Sequence, residues 1–205
     1  MESSGTWGAD QCVSECRRCD ALVSSRSRIV NGVGPTDADL VIVGEAPGER
    51  EDATGEPFVG RSGGLLTEEL AAAGLPRSAV RITNCVRCRP PDNRDPWQEE
   101  LANCREWLER ELQAVSPAAV LAVGKVPASH LLERDVAVTA EAGAVEELPL
   151  GDQTVSVVIC VHPAAVLYDR SNEARLRAAI KVAAEHVGAT PPTDPQTALD
   201  SFETD

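Results

Sequence analysis

The strongest constraint in this sequence is a series of short, near-continuous apolar runs separated by helix-length stretches. Asp39-Leu40-Val41-Ile42-Val43 stops at Gly44, and Val80-Arg81-Ile82-Thr83-Asn84 closes on Asn84. Ala118 to Val123 stops at Gly124, and Val155-Ser156-Val157-Val158-Ile159-Cys160-Val161 stops at His162-Pro163. Runs of this length, rich in β-branched residues, read as buried strands. Helices are predicted over Gly63 to Ala73 (stopped by Gly74), from about Trp97 to Val115, over Lys125 to Glu133, and from Asn172 to Val187. Strands without a polar face, alternating with helices, predict a parallel sheet covered on both sides. The expected architecture is a three-layer α/β/α sandwich around a mostly parallel, four-stranded sheet. The stretch from Val136 to Leu150 fits no single element and leaves room for a hairpin. Ligands of such sheets bind beyond the carboxyl ends of the strands, which gathers Glu45, Asn84 and His162 around one crevice.

A chain of 205 residues, 42% of them hydrophobic, is long enough for one sizeable core. Residues 1–188 are expected to form a single domain, monomeric in action. Residues 189–205 are polar, acidic and proline-containing, and are expected to be disordered. Met1-Glu2-Ser3-Ser4-Gly5 has no basic or apolar signal region, and no apolar run approaches the roughly 20 residues of a membrane span. A soluble, cytoplasmic protein is expected. Seven cysteines then argue for metal ligation rather than a disulfide framework.

The formal net charge of −14 argues against nucleic acid, but the charge is uneven. Lys125 and Lys181 are the only lysines, and an acidic, lysine-poor surface suits a salt-rich, halophilic cytoplasm; an acidic mesophilic protein is the plainer alternative. No acid lies between Glu69 and Asp92, an interval holding Arg77, Arg81, Arg87 and Arg89. Arg17, Arg18, Arg26 and Arg28 precede it. These two segments form one phosphate-facing surface or lie scattered; the sequence leaves both open.

Gly44-Glu45-Ala46-Pro47-Gly48 is a tight turn after the first strand. It lacks the third glycine of a dinucleotide fingerprint and the GK[ST] ending of a P-loop. What gives it meaning is the ordered set around it. Glu49-Arg50-Glu51-Asp52 follows directly, then Gly55-Glu56-Pro57-Phe58-Val59-Gly60-Arg61-Ser62-Gly63. Ile82-Thr83-Asn84, Cys88-Arg89-Pro90-Pro91-Asp92-Asn93-Arg94 and His162-Pro163-Ala164-Ala165 complete it. From Cys16 to the terminal helix this series resembles the type-4 uracil-DNA glycosylases, the iron–sulfur branch of that superfamily.

The resemblance implies a monofunctional enzyme that flips uracil out of DNA and hydrolyses its glycosidic bond, initiating base excision repair. It implies a [4Fe-4S] cluster on Cys16, Cys19, Cys88 and Cys104. On spacing alone, Cys16/Cys19 with Cys85/Cys88 is a double C-x2-C that reads as zinc. Cys160, in a buried strand, reads as a core residue. The family's uracil pocket maps onto Gly44, Glu45, Ala46, Phe58, Asn84 and His162. Phe58 would stack on the base, Asn84 would read its polar edge, and His162 would face O2, where negative charge develops as the bond breaks. Without the resemblance, Phe58 reads as core, Asn84 as a turn residue and His162 as a satisfied strand-end histidine. Relatives with a Gly-Gln-Asp-Pro-Tyr turn have a carboxylate where this chain has Ala46, so Glu45, Glu51 and Asn93 are the candidates for positioning the water. Glu51 reads equally well as a solvated surface residue. The motifs contain no lysine for a Schiff base, which argues against lyase chemistry.

The segment Val166-Leu167-Tyr168-Asp169-Arg170 corresponds to a loop that enters the minor groove in the superfamily. Val166 or Leu167 is then a wedge and Arg170 a phosphate contact, with Arg89 as a further DNA contact; helix packing is the alternative. Gln196, Leu199 and Phe202 lie in a stretch that resembles a sliding-clamp-binding peptide, although Glu203 stands where a second aromatic is usual. Two other classes compete. A non-catalytic zinc- or cluster-bearing nucleic-acid-binding module explains the cysteines and basic segments. A nucleotide-processing α/β enzyme requires phosphate-binding motifs that are absent.

Overall fold

In the computed structural model, which describes residues 12–192, the apolar runs form one sheet. In chain order the strands are β1 (Leu40–Gly44), β2 (Arg81–Asn84), β3 (Ala119–Val123), β4 (Val145–Leu150) and β5 (Gln153–Cys160). Their order across the sheet is β2-β1-β3-β5-β4. β1 pairs in parallel with both β2 and β3, and β3 with β5. The sheet therefore has five strands, not four. The additional strand, β4, runs antiparallel to β5 along the edge. Its sequence hid it. Val145-Glu146-Glu147-Leu148-Pro149-Leu150 is rich in glutamate and carries a proline, composition suited to a solvent-facing edge that resists further pairing. The hairpin turns at Gly151-Asp152, with Gly151 in the left-handed region at φ 62°.

Seven helices accompany the strands among the described residues: α1 (Asp20–Ser25), α2 (Glu49–Thr54), α3 (Arg61–Ala72), α4 (Gln98–Val115), α5 (Lys125–Leu132), α6 (Pro163–Tyr168) and α7 (Glu173–His186). The expected long helices are present, while α1, α2 and α6 are six-residue helices too short to show a period. Successive side chains of a strand face opposite layers. Leu40 and Ile42 of β1 therefore pack with Leu66 and Leu70 of α3 and with Leu176 and Ile180 of α7. Val41 and Val43 pack on the other face with Leu108 and Leu112 of α4 and Leu131 of α5. All of these side chains are buried, each contributing roughly 1.5–3 kcal/mol by removal from water. From β1 the chain passes to β2 on one side and then returns across β1 to β3 on the other. That arrangement opens a crevice past the carboxyl ends of β1 and β3.

Candidate active site

Parallel pairing of β1 with β2 sets Gly44 opposite Asn84. Pairing continues past the strands, with Cys85 N–H donating to the Gly44 carbonyl (2.8 Å) and Val86 N–H to the Glu45 carbonyl (3.1 Å). This fixes where Glu45 and the Asn84 amide enter the crevice. Gly44 is required by close approach. A Cβ there would lie 2.5 Å from Phe58 Cε2 and closer still to Asn84 Oδ1. Asn84 is 4% exposed, yet its amide makes no side-chain hydrogen bond among the described residues. Most buried polar side chains have a partner, so the Asn84 amide is an exception with its hydrogen-bonding capacity unused among the described residues.

Phe58 is carried by a loop and is 8% exposed, part of the core cluster on the α3 and α7 face, and its backbone is left-handed at φ 54°. For a non-glycine residue that conformation costs on the order of 1–2 kcal/mol. Two side chains hold it there. Glu51 Oε1 accepts from Val59 N–H (3.0 Å) and Gly60 N–H (2.9 Å), while its Oε2 accepts from Gly48 N–H (3.2 Å). From the opposite side Arg77 donates to the carbonyls of Pro57 (2.6 Å) and Phe58 (3.3 Å). Glu51 thus ties the loop after β1 to the loop carrying Phe58, and its carboxylate oxygens are occupied by backbone donors.

The Phe58 and His162 ring centroids are 6.0 Å apart, tilted by 31°. His162 is the N-cap of α6, and its Nδ1 accepts from Ala164 N–H at 3.1 Å. An accepting Nδ1 assigns the proton of the neutral ring to Nε2. Burial pushes the imidazole pKa below its ordinary value, against the opposing pull of Glu51, so the neutral form is favoured. Gly124 lies beside this ring with φ 109°, a backbone conformation that favours glycine.

Glu45 is half-buried, and its carboxyl is pushed up to about 7, first by burial and then by repulsion from and hydrogen bonding with Asp95. Asp95 has no motif to mark it; it reaches Glu45 only because the proline-rich loop folds back toward β1. Asn93, by contrast, is exposed at the tip of that loop, and its Oδ1 accepts from Arg89 Nε at 2.8 Å.

Near α6, Val166 is 6% exposed and belongs to the core, which removes it as a wedge. Leu167 (44%) and Tyr168 (92%) are the exposed members of that helix, and Arg170 is exposed just beyond it. The acid-free interval does not form one phosphate-facing surface. Arg81 and Arg87 are buried and share Glu111, at 2.6 and 2.7 Å. Arg77 serves the Phe58 loop. In the N-terminal segment, Arg26 donates to Cys88 Sγ (2.8 Å) and to the Cys16 carbonyl (2.6 Å).

Cys16, Cys19, Cys88 and Cys104 line one small pocket between the N-terminal segment, the loop after β2 and α4. Asn103 donates to Cys19 Sγ at 3.5 Å. Cys85 is absent from that pocket and lies fully buried among the side chains of the α4 layer. Among the described residues no three His, Cys, Asp or Glu side chains converge on a point suited to a single ion. Four separated thiols around a common space suit a polynuclear group whose ligands sit on different corners, and Arg26 beside Cys88 suits its negative charge. Cys160 is a buried core residue, and Cys12 is exposed. Gln196, Leu199 and Phe202 lie outside the described residues.

The family model described as "Uracil DNA glycosylase superfamily" matches residues 31–184. The chain is 40% identical over 185 residues to the type-4 uracil-DNA glycosylase of Archaeoglobus fulgidus, covering 88% of this chain and 92% of that protein. It is 40% identical over 164 residues to the type-4 uracil-DNA glycosylase of Thermotoga maritima, covering 80% and 83%. Identity to the type-5 uracil-DNA glycosylase of Thermus thermophilus is 33% over 153 residues and covers less of either chain, 60% and 69%.

Proposed function

The chain belongs to the uracil DNA glycosylase superfamily, in its type-4 branch, and on that premise we propose how its residues remove uracil from DNA. It is a monofunctional DNA glycosylase that hydrolyses the bond between uracil and deoxyribose, leaving an abasic site for base excision repair. The observation that carries the assignment of roles is the buried, unpartnered amide of Asn84 beside the Phe58 and His162 rings.

Uracil must leave the base stack before its glycosidic bond is accessible. Once flipped, it stacks on Phe58. Asn84 accepts from uracil N3–H and donates to O4; cytosine offers the reverse pattern and would leave buried groups unpaired. His162 donates from Nε2 to O2 and stabilises the negative charge that develops on the departing base. A preorganised donor of this kind is worth on the order of 3–4 kcal/mol. Backbone groups of Gly44, Glu45 and Ala46 shape the pocket floor. Ionised Glu45 faces the oxocarbenium-like sugar and orients the water, with Asp95 setting how readily Glu45 ionises. Glu51 acts as a positioning residue for Phe58, while Asn93 and Arg89 belong to the DNA-facing loop.

Cys16, Cys19, Cys88 and Cys104 would hold a [4Fe-4S] cluster, which supplies a structural cross-link there. The protein's own part is to bind that group between α4 and the N-terminal segment and so to fix the loop leading from Cys88 to Asp95. Residues 1–188 act as one cytoplasmic, monomeric domain with a salt-adapted acidic surface, and Gln196, Leu199 and Phe202 form a sliding-clamp peptide. The described residues include no helix long and apolar enough to cross a membrane. The test is incubation of the protein with a uracil-containing oligonucleotide in salt-matched buffer, followed by alkali. Cleavage at uracil and not at cytosine is expected; no cleavage at uracil defeats the reading.

A further inference from the structure

The motif Glu49-Arg50-Glu51-Asp52 holds a carboxylate that the pocket chemistry leaves unused. Glu51 reaches forward to the Phe58 loop, whereas Asp52, 3% exposed, reaches back to the N-terminal segment. Its Oδ1 accepts from Ser27 N–H (2.9 Å) and Arg28 N–H (3.3 Å), and its Oδ2 also accepts from Ser27 N–H (2.9 Å). Among the described residues it forms no ion pair. A carboxylate out of water is unfavourable unless its oxygens are bonded. Here both oxygens are bonded to backbone N–H groups of one segment, contacts stronger than those between neutral groups.

A second contact joins the same two elements. Arg28 Nη1 donates to the Thr54 carbonyl at 3.4 Å, and its side chain lies against Gly55, where a Cβ would sit 3.2 Å from Arg28 Cδ. Gly55 ends α2 in the left-handed region at φ 88°. With six residues, α2 is too short to persist as an isolated helix. Its place is therefore decided by what Glu51 and Asp52 hold.

The N-terminal segment is in turn fastened on both sides of Asn84. Ahead of it, Val33 N–H donates to the Ile82 carbonyl (2.9 Å) and Ile82 N–H to the Val33 carbonyl (2.8 Å). Beyond it, Val30 N–H donates to the Arg87 carbonyl (2.8 Å) and Arg87 Nη1 to Asn31 Oδ1 (2.8 Å). A continuous run of contacts thus leads from the Phe58 loop through Glu51, α2 and Asp52 to Ser27 and Arg28, and on to the backbone that carries Asn84. Gly44 lies between Phe58 and Asn84 but has no side chain with which to hold them apart.

We propose that Asp52 is a positioning residue that sets the gap between the stacking face of Phe58 and the edge-reading amide of Asn84. It touches neither base nor sugar. It holds α2, and with it Glu51 and the Phe58 loop, in register with the frame around Asn84. The proposal rests on the glycosylase reading for what the gap accepts and deepens it by naming what fixes the gap's width. A misplacement of about 1 Å at a site like this can slow a reaction by roughly 10²-fold. A carboxylate that only stabilised the fold would leave the excision rate of the folded protein unchanged.

The test uses the full chain as wild type, Asp52→Ala, Asp52→Ser, Asp52→Asn, Phe58→Ala and the double variant Asp52→Ala/Phe58→Ala. Glu69→Gln on α3 controls for the loss of another buried carboxylate. Hydrogen exchange of the free protein follows residues 58–60, where the Val59 and Gly60 N–H groups donate to Glu51. Single-turnover excision is measured at saturating uracil-containing DNA, and visible absorbance reports the cluster. Asp52→Ala is expected to exchange about tenfold faster in that loop and to excise about tenfold more slowly, with the absorbance of wild type. Asp52→Asn, whose amide oxygen can still accept from both N–H groups, should recover the rate to within about threefold. Asp52→Ser, one atom shorter, should show the alanine pattern in smaller size, and it takes the place of Asp52→Ala if that variant does not fold. In the Phe58→Ala background, Asp52→Ala should slow excision by less than about twofold further, because the ring it positions is gone. Glu69→Gln should change neither loop exchange nor excision. Unchanged exchange over residues 58–60, or the same fold-loss with and without the Phe58 ring, overturns the proposal. Failure of the glycosylase reading alone shows as wild type that leaves uracil in place while the exchange difference persists.

Discussion

The crevice beyond β1 and the cysteine pocket beside α4 are built by similar means and left in opposite states. Each gathers side chains from distant segments, and each is held by side chains that bond to neighbouring groups. In the crevice Glu51 and Arg77 give their hydrogen bonds to the backbone around Phe58. That leaves the Asn84 amide and His162 Nε2 without a hydrogen-bond partner among the described residues. In the cysteine pocket Arg26 and Asn103 address the sulfurs themselves, and the pocket joins the N-terminal segment to α4. One site leaves polar groups open toward a passing ligand, while the other would, on the proposed function, hold a resident cluster. Loss of a free group should therefore cost rate, and loss of a thiol should cost structure.

The largest effect expected from breaking that contrast is at the free groups. His162→Ala should lower the single-turnover rate of uracil excision by about 10²–10³-fold, the range for removing one preorganised donor. Asn84→Ala should lose a similar factor and also narrow the preference for uracil over cytosine. Stability should change little for Asn84→Ala. For His162→Ala it should fall by about 1 kcal/mol, because the ring also caps α6 through Ala164 N–H. Stopped-time excision assays beside thermal melts separate the two quantities. A His162→Ala protein with wild-type rate would remove the oxyanion-type role.

Cys88→Ser and Cys104→Ser should behave the other way. Visible absorbance and bound iron should be lost, hydrogen exchange should accelerate in the segment around Cys16 to Arg28, and the melting temperature should fall. Excision should decline through the loop that leads to Asp95 rather than through the pocket. Cys85→Ser should retain the absorbance, because its side chain lies in the core and does not line the pocket shared by the other four thiols. Loss of iron in Cys85→Ser with retention in Cys104→Ser would instead restore the double C-x2-C reading.

The legible and illegible parts of this molecule divide along the same line. Strands β1 and β3 and the end of β5 were readable because burial on both faces leaves a near-continuous apolar run, and β2 from its β-branched Ile82 and Thr83. The carboxyl ends of β1, β2 and β5 are followed by or end on Glu45, Asn84 and His162, which is why strand ends alone pick out those three residues. β4 was hidden by its edge position, where Glu146, Glu147 and Pro149 are favourable for reasons unrelated to strand propensity. The fate of the arginines was not written in their spacing. Arg81 and Arg87 look like a basic patch until Glu111, far along the chain on α4, is folded between them. The partners of Arg77 are carbonyls, which leave no mark in sequence, and Asp95 acquires its role only through a loop conformation.

The smallest and most local effect concerns the one pocket carboxyl whose state changes near neutrality. Glu45 is raised from its ordinary 4.5 to about 7, by burial first and by Asp95 second. If its ionised form orients the water, excision should rise with pH through an inflection near 7. Asp95→Asn removes a negative neighbour, so the inflection should move down by roughly one unit, making the variant faster than wild type near pH 6 and equal to it near pH 8. Stability carries the opposite sign. A carboxyl whose folded pKa is raised binds more protons folded than unfolded. Its contribution is complete below about 4.5 and is lost as pH rises through 7. Glu45→Gln should therefore match wild type in stability near pH 4 and exceed it at pH 8 by about 1–2 kcal/mol, a figure reduced from the full shift because the group is partly solvated. Greater stability with a slower rate at pH 8 in the same variant would identify Glu45 as a charge kept in the crevice at a structural cost because the reaction uses it; a pH-independent rate in both variants would leave that cost without a catalytic reason.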